Sequence, residues 1–421
     1  MASQISKEEK LWQAATVGDM EVVKRLATDP AVNVNWVGPD RSDTAIHRSC
    51  RFGRLEIFKE LLSNPRVDVL KENEFGGTPL TISAAMGHPE MVSILLADTR
   101  FDTEKTTLQG ATPFFLACQE GHPEIVALLL ADPRVDPNHC DHKKINPFFM
   151  ACQEGHLEVI RLMLANPRID IFRARITGDT PFFMACQQGH EKAVKMLLAD
   201  SRIDPTLRDF DNKVPFTIAC QEGRQKVVSL LLTDPRIDVN AVDRHNSTPL
   251  WYAAQNGHLG VVQLLLASDK DINTKTKSTW NSTMAAQYAR WAATQPKWEG
   301  YTDDDPERRR RDCPIIAALI DEYEKAPKPV RDRLRQLPGV RGHFIGQAFA
   351  LVVFYSDNFV RLRAGKHGDI SRFLRLCKLL PMDLQMVLCN RLFGSGRNVV
   401  TSIDSEPGFR WLARPSIWSP S

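Results

Sequence analysis

Apolar positions along this chain come in short blocks, and the blocks repeat. Phe114, Ala117 and Cys118 fall at i, i+3 and i+4, which marks a short helix with one buried face. Thr112-Pro113 opens that helix, threonine as the N-cap and proline in the first turn. Gly121-His122 closes it, glycine being free to take the left-handed cap conformation. Ile125, Val126, Leu128 and Leu129 predict a second helix over Pro123 to Ala131, which Asp132-Pro133-Arg134 breaks. The whole block returns every 34 residues: Pro79, Pro113, Pro147, Pro181, Pro215 and Pro249 hold one slot, preceded there by Ala45. A period of this size predicts a stack of like supersecondary units rather than a globe around one core.

Seven units start near residues 39, 73, 107, 141, 175, 209 and 243 and fill 39–273. A degenerate unit in 1–38 carries Leu11, Ala14-Ala15, Gly18, Val22-Val23 and Leu26, and reads as an N-terminal cap. Residues 274–326 read as a split final cap that starts near Ser282-Thr283-Met284-Ala285-Ala286. A polar insert, 294–312, precedes its expected second helix, Pro314 to Glu324. Beyond residue 327 the repeat stops and a basic, helical C-terminal segment, 327–421, is expected.

The frame Thr248-Pro249-Leu250, Ala253-Ala254, Gly257-His258, Val261-Val262 and Leu264-Leu265-Leu266 resembles the ankyrin repeat. That resemblance spans roughly 7–324 and implies an all-α solenoid of helix–turn–helix units that binds other proteins and catalyses nothing. Three departures stand out. The period is 34 rather than the family's 33. The family's histidine survives only at His47, its slot elsewhere holding Thr81, Phe115, Phe149, Phe183, Thr217 and Trp251. Val214 replaces the capping threonine before Pro215, which predicts a frayed helix start.

Composition adds constraints. The chain has 421 residues, 43% of them hydrophobic, and no run of 18 apolar residues that would span a membrane. Its first ten residues are polar and unlike a signal peptide. Five of the nine cysteines (Cys50, Cys118, Cys152, Cys186, Cys220) share one repeat slot and are expected as buried free thiols. No CxxC or CxxH pair suggests a metal, no cofactor is expected, and the compartment reads as reducing: cytoplasmic, with the nucleus as the alternative. The net charge of +3 joins an acidic array to a basic C-terminal region. No catalytic constellation emerges; Gly394-Ser395-Gly396-Arg397 lacks the lysine and spacing of a phosphate loop.

Candidate binding positions fall in two sets. The turn tips before each Thr-Pro vary, with Arg41, Phe75, Gln109, Lys143, Ile145, Ile176, Phe210, Arg244 and His245 as contacts; either their apolar members face a partner or each tucks onto the neighbouring turn. The first-helix ends are nearly uniform: Gln119-Glu120, Gln153-Glu154, Gln187-Gln188, Gln221-Glu222 and Gln255-Asn256 read either as an acidic, hydrogen-bonding stripe for a basic partner or as a solvated stripe left by repeat duplication. The Phe115, Phe149, Phe183 ladder is expected to pack between repeats. Arg66, Arg100, Arg134, Arg168, Arg202 and Arg236 are expected in ion pairs at the loop surface. Asp303-Asp304-Asp305 ahead of Arg308-Arg309-Arg310-Arg311 predicts a self-screened loop, with an import signal as the alternative.

Near the C-terminus, Leu380-Pro381-Met382-Asp383-Leu384, Val387-Leu388 and Leu392, followed by Phe409 and Leu412-Ala413, resemble an F-box. That resemblance implies docking of a ubiquitin-ligase adaptor through Leu380, Pro381, Leu384 and Leu388. The sequence therefore predicts a monomeric, non-catalytic scaffold for protein partners. The alternatives are a substrate adaptor of a ubiquitin ligase and, more weakly, nucleic-acid or acidic-partner binding by the basic C-terminus.

Overall fold

The computed structural model describes residues 5–279, 281–295, 305–337 and 340. Among these residues the structure is helical, with no strand. The chain divides into two compact units, Met1–Ala185 and Cys186–Ser421.

In the first unit the helices come in pairs. They are α1 (Lys7–Val17) with α2 (Met20–Thr28), α3 (Ala45–Arg51) with α4 (Leu55–Ser63), α5 (Pro79–Met86) with α6 (Pro89–Ala97), α7 (Pro113–Glu120) with α8 (Pro123–Ala131), and α9 (Pro147–Glu154) with α10 (Leu157–Ala165). First helices pack on first helices, α1 through α9, and second on second, α2 through α10. Helix α11 (Pro181–Gln188) spans the division. The second unit holds α12 (Glu191–Ala199), α13 (Pro215–Gln221) with α14 (Gln225–Leu232), and α15 (Pro249–Gln255) with α16 (Leu259–Ala267). It continues with α17 (Ala285–Ala292), α18 (Pro306–Lys325) and α19 (Pro327–Leu334).

The boundaries follow from the caps. Thr78, Thr112, Asn146 and Thr248 each accept from the backbone N–H three residues on, and proline sits in the first turn. The glycine that ends each first helix is also a contact point. Gly121 has φ 79, and a Cβ built there would lie 2.4 Å from His156 of the next repeat. That imidazole puts Nε2 2.8 Å from the Gln119 carbonyl, which can only accept, so Nε2 carries the proton. His122 reaches Ala85 O and His258 reaches Gln221 O in the same way, and Arg224 takes the role toward Gln187 O. The Gly-His pair is thus a staple between neighbouring repeats.

The core is the expected one at its centre. Phe115, Phe149 and Phe183 are buried, so the aromatic ladder packs between repeats. The five slot cysteines are buried and free. Burial pushes the Cys50 thiol up to about 12 and raises Cys118, Cys186 and Cys220 well above their usual value.

The structure corrects three expectations. Val214 gives α13 no side-chain cap, yet the helix still starts at Pro215; the cost appears instead at Thr217, whose buried hydroxyl has no partner. In the equivalent slot Thr81 bonds the capping Thr78. The polar insert does not run to 312, because α18 starts at Pro306, capped by Asp305, whose carboxylate accepts from the N–H groups of Glu307 and Arg308. Arg309, read as part of a solvated loop, is 0% exposed and donates to Ala292 O. Finally, the loop arginines pair with the aspartate two residues before them, as in Arg100–Asp98, Arg134–Asp132 and Arg236–Asp234. Several also reach carbonyls of the preceding repeat: Arg134 to Leu96 O, Arg236 to Ile203 O and, where Asn64 and Asn166 replace the aspartate, Arg66 to Asp29 O and Val32 O and Arg168 to Leu130 O and Val135 O.

Candidate partner-binding surface

Several turns before first helices are held by a side chain at the base. Asn73 Oδ1 accepts from the backbone N–H of Phe75 and Gly77 at 3.0 and 2.8 Å. Asp141 does the same for Lys143 and Ile145, and Asp243 for His245 and Ser247. In six turns one residue takes a left-handed φ: Gly76, Gly110, Lys144, Gly178, Asn212 and Asn246, again 34 apart, whereas in the first turn both Arg41 and Ser42 do. Small residues meet this need most readily, and Arg41 and Lys144 are the exceptions.

Successive turns are joined by backbone hydrogen bonds. Glu74 N donates to Arg41 O (3.2 Å), Leu108 N to Phe75 O (2.9 Å) and His142 N to Gln109 O (3.0 Å) in the first unit. In the second, Arg244 N donates to Asp211 O at 2.9 Å. Bonds of this kind fix the main chain of the tips and leave their side chains to solvent. Arg41, Phe75, Gln109, Lys143, Ile176 and Arg244 are exposed, and Phe210 is 75% exposed. The Arg41 guanidinium lies 5.6 Å from the centre of the Phe75 ring. Ile145 and His245 are only half-exposed. Leu108, another residue of these turn tips, is 66% exposed, and its N–H donates to Phe75 O.

The stripe at the first-helix ends is internally bonded. Gln119 donates to Glu120 at 3.0 Å, Gln153 to Glu154 at 2.9 Å and Gln221 to Glu222 at 3.2 Å. Gln119, Gln153, Gln187, Gln221 and Glu222 are half-buried; Glu120, Glu154 and Gln188 are exposed. The stripe therefore presents carboxylates whose neighbours already donate to them.

In the second unit, tips and stripe meet around one pocket of about 360 Å³, lined by Asp211, Lys213, Gln221, Arg244, His245, Tyr252, Gln255 and Asn256. This brings together Gln221, Arg244 and His245 from the two candidate sets. Lys213 Nζ donates to Gln221 Oε1 at 2.9 Å and sits 4.5 Å from the centre of the Tyr252 ring. Arg244 pairs with Asp211 at 2.9 Å. Tyr252 fills a slot held in the other repeats by Arg48, Ile82, Leu116, Met150, Met184 and Ile218, and it donates to the buried Asp243 at 2.6 Å.

Leu380, Pro381, Leu384 and Leu388 lie outside the described residues. Among the described residues no group of three or more His, Cys, Asp or Glu is placed to hold a metal ion, and no helix is long and apolar enough to cross a membrane.

Paired helices, stapled at Gly-His and fronted by hydrogen-bonded turns, define a helical repeat array built for binding. A family model described as ankyrin repeats (3 copies) matches in four overlapping placements, residues 11–107, 59–141, 114–209 and 203–276. The chain belongs to the ankyrin-repeat family, and its array is a protein–protein interaction domain. No curated protein matches it. The match ends at 276 and lends nothing to the F-box resemblance further on.

Proposed function

We propose that this protein is a non-catalytic scaffold that binds a protein partner through its turn tips and the ends of its first helices. The observation that carries the reading is the division of labour along each repeat. Residues that recur are buried or hydrogen-bonded to the frame: Phe149, Cys152, Gly155 and His156 in one repeat. Residues that vary stand exposed at the turn tips: Arg41, Phe75, Lys143, Ile176, Phe210 and Arg244, with cross-repeat main-chain bonds at Arg41, Phe75 and Arg244. Holding a side chain still before binding lowers the entropy cost of association.

Phe75 and Phe210, each exposed on its own unit, are anchors, and the Glu120 and Glu154 carboxylates of the first unit set charge preference and association rate. Partner capture by the full chain tests this. Phe75→Ala with Phe210→Ala should abolish capture, and Glu120→Lys with Glu154→Lys should weaken it in a salt-dependent way, both with melting unchanged. Full capture by both double variants would contradict the assignment.

A further inference from the structure

The pocket in the second unit is unlike the rest of the stripe. At three other positions of the stripe the glutamine near the end of a first helix is followed by glutamate and donates to it, as Gln119, Gln153 and Gln221 do. At the pocket the follower is Asn256, whose amide instead donates to Gln221 O at 2.8 Å. Gln255 also stands apart: it is 7% exposed and lines the pocket, and its buried Oε1 has no hydrogen-bond partner. A buried carbonyl oxygen without a donor costs about 1–3 kcal/mol, and such groups in folded proteins call for an explanation.

The rest of the lining says what would satisfy it. Two cations, Lys213 and Arg244, face one lining carboxylate, Asp211. The nearby Asp243 is buried and already accepts from the N–H groups of His245 and Ser247 and from the Tyr252 hydroxyl. Lys213 uses one N–H on Gln221 and rests against the Tyr252 ring, and an ammonium carries three. The pocket is therefore rich in donors and holds one surplus positive charge. A carboxamide, for its part, can match a peptide group, accepting from N–H and donating to C=O. At about 360 Å³ the space suits one or two side chains rather than a larger cofactor.

We propose that this pocket is a subsite for an acidic residue in an extended segment of the partner, its carboxylate on Lys213 and Arg244 and its main-chain amide on the Gln255 carboxamide. The proposal rests on the protein-binding reading above and adds the partner's chemistry. Bound in this way, the segment supplies the hydrogen bond that Gln255 Oε1 lacks.

Random-peptide display on the immobilised full chain, followed by anisotropy with the fluorescein-labelled peptides it selects, tests the idea. Selected peptides should share an Asp or Glu at a fixed position. Exchanging that residue for its amide should weaken binding at least fivefold. Lys213→Ala, Arg244→Ala and Gln255→Leu should each do the same, the first two being changes at half-exposed or exposed positions that leave the helices intact. Asn256→Glu, which restores the glutamine's usual partner and adds a negative charge, should also weaken binding fivefold or more. Selection without acidic enrichment, no selection at all, or losses below fivefold in the lysine and arginine variants would overturn the subsite. Peptides insensitive to the pocket variants but lost on Phe75→Ala with Phe210→Ala would overturn it while leaving the protein-binding reading intact.

Discussion

In the repeats that begin near 107 and 141, every slot of the frame is filled and bonded. Thr112 and Asn146 cap their helices, Phe115 and Phe149 are buried, and Gln119 and Gln153 donate to the glutamates beside them. In the repeats near 209 and 243 the same slots hold Val214, Thr217, Trp251, Gln255 and Asn256. There the Thr217 hydroxyl, the Trp251 indole nitrogen and Gln255 Oε1 are buried without partners, whereas among the described residues of 107–174 no such atom occurs. Both stretches fold into the same helix pairs. The frame thus tolerates local losses, and its departures mark where stability has been given up. One of those departures opens the pocket.

The comparison breaks most sharply if a filled slot is emptied. Phe149→Ala removes a fully buried ring between neighbouring first helices and is expected to cost about 3–5 kcal/mol in chemical denaturation. A loss below about 1 kcal/mol would mean that the aromatic ladder is not what joins the repeats.

His47, the only family histidine kept in its slot, carries a pH dependence that the phenylalanine repeats lack. Its Nδ1 accepts from Thr44 N–H and its Nε2 donates to Lys71 O, so the neutral ring is fully bonded. Burial pushes its pKa down from 6.5 to about 4, against the opposing pull of Asp43. The unfolded chain then binds this proton more readily than the folded one, so stability falls as pH drops below 6.5 and levels off near 4. Between pH 7 and 5 the loss should be about 2 kcal/mol, and His47→Thr, the residue at position 81, should remove that slope. An unchanged slope in the variant would place the titration elsewhere.

Restoring a missing cap sharpens the contrast in the other direction. Val214→Thr gives α13 its N-cap and the Thr217 hydroxyl a partner, as Thr78 does for Thr81. It should raise stability by about 1 kcal/mol in thermal or denaturant melts. The smallest effect belongs to the loop arginines: Arg100→Ala breaks an exposed ion pair with Asp98 and should change stability by less than about 0.5 kcal/mol.

Much of this could be read from one chain because the period is itself a physical signal. Thr-Pro, Gly-His and the i, i+3, i+4 apolar set act within a single turn or helix, so their consequences are local and their positions fall where the letters say. Through-space features did not show. The start of α18 depended on Asp305 as a cap and on room for the Arg309 side chain beneath α17, which a run of like charges disguises as a solvated loop. The arginines of Asn-Pro-Arg turns find carbonyls more than 30 positions earlier, which only stacking reveals. The Gln255 pocket was half legible. Gln221, Arg244 and His245 stood out as candidates separately, but their convergence with Lys213 and Tyr252 comes from the register of neighbouring repeats.

Hydrogen–deuterium exchange of the full chain, with and without its captured partner, tests the central claim most directly. Binding through tips and first-helix ends predicts added protection in the turns at 73–77, 107–111, 209–213 and 243–247 and at the ends of α7, α9, α13 and α15, with α4, α6, α8 and α10 unchanged. Protection confined to those second helices, or to residues 341–421, would contradict it.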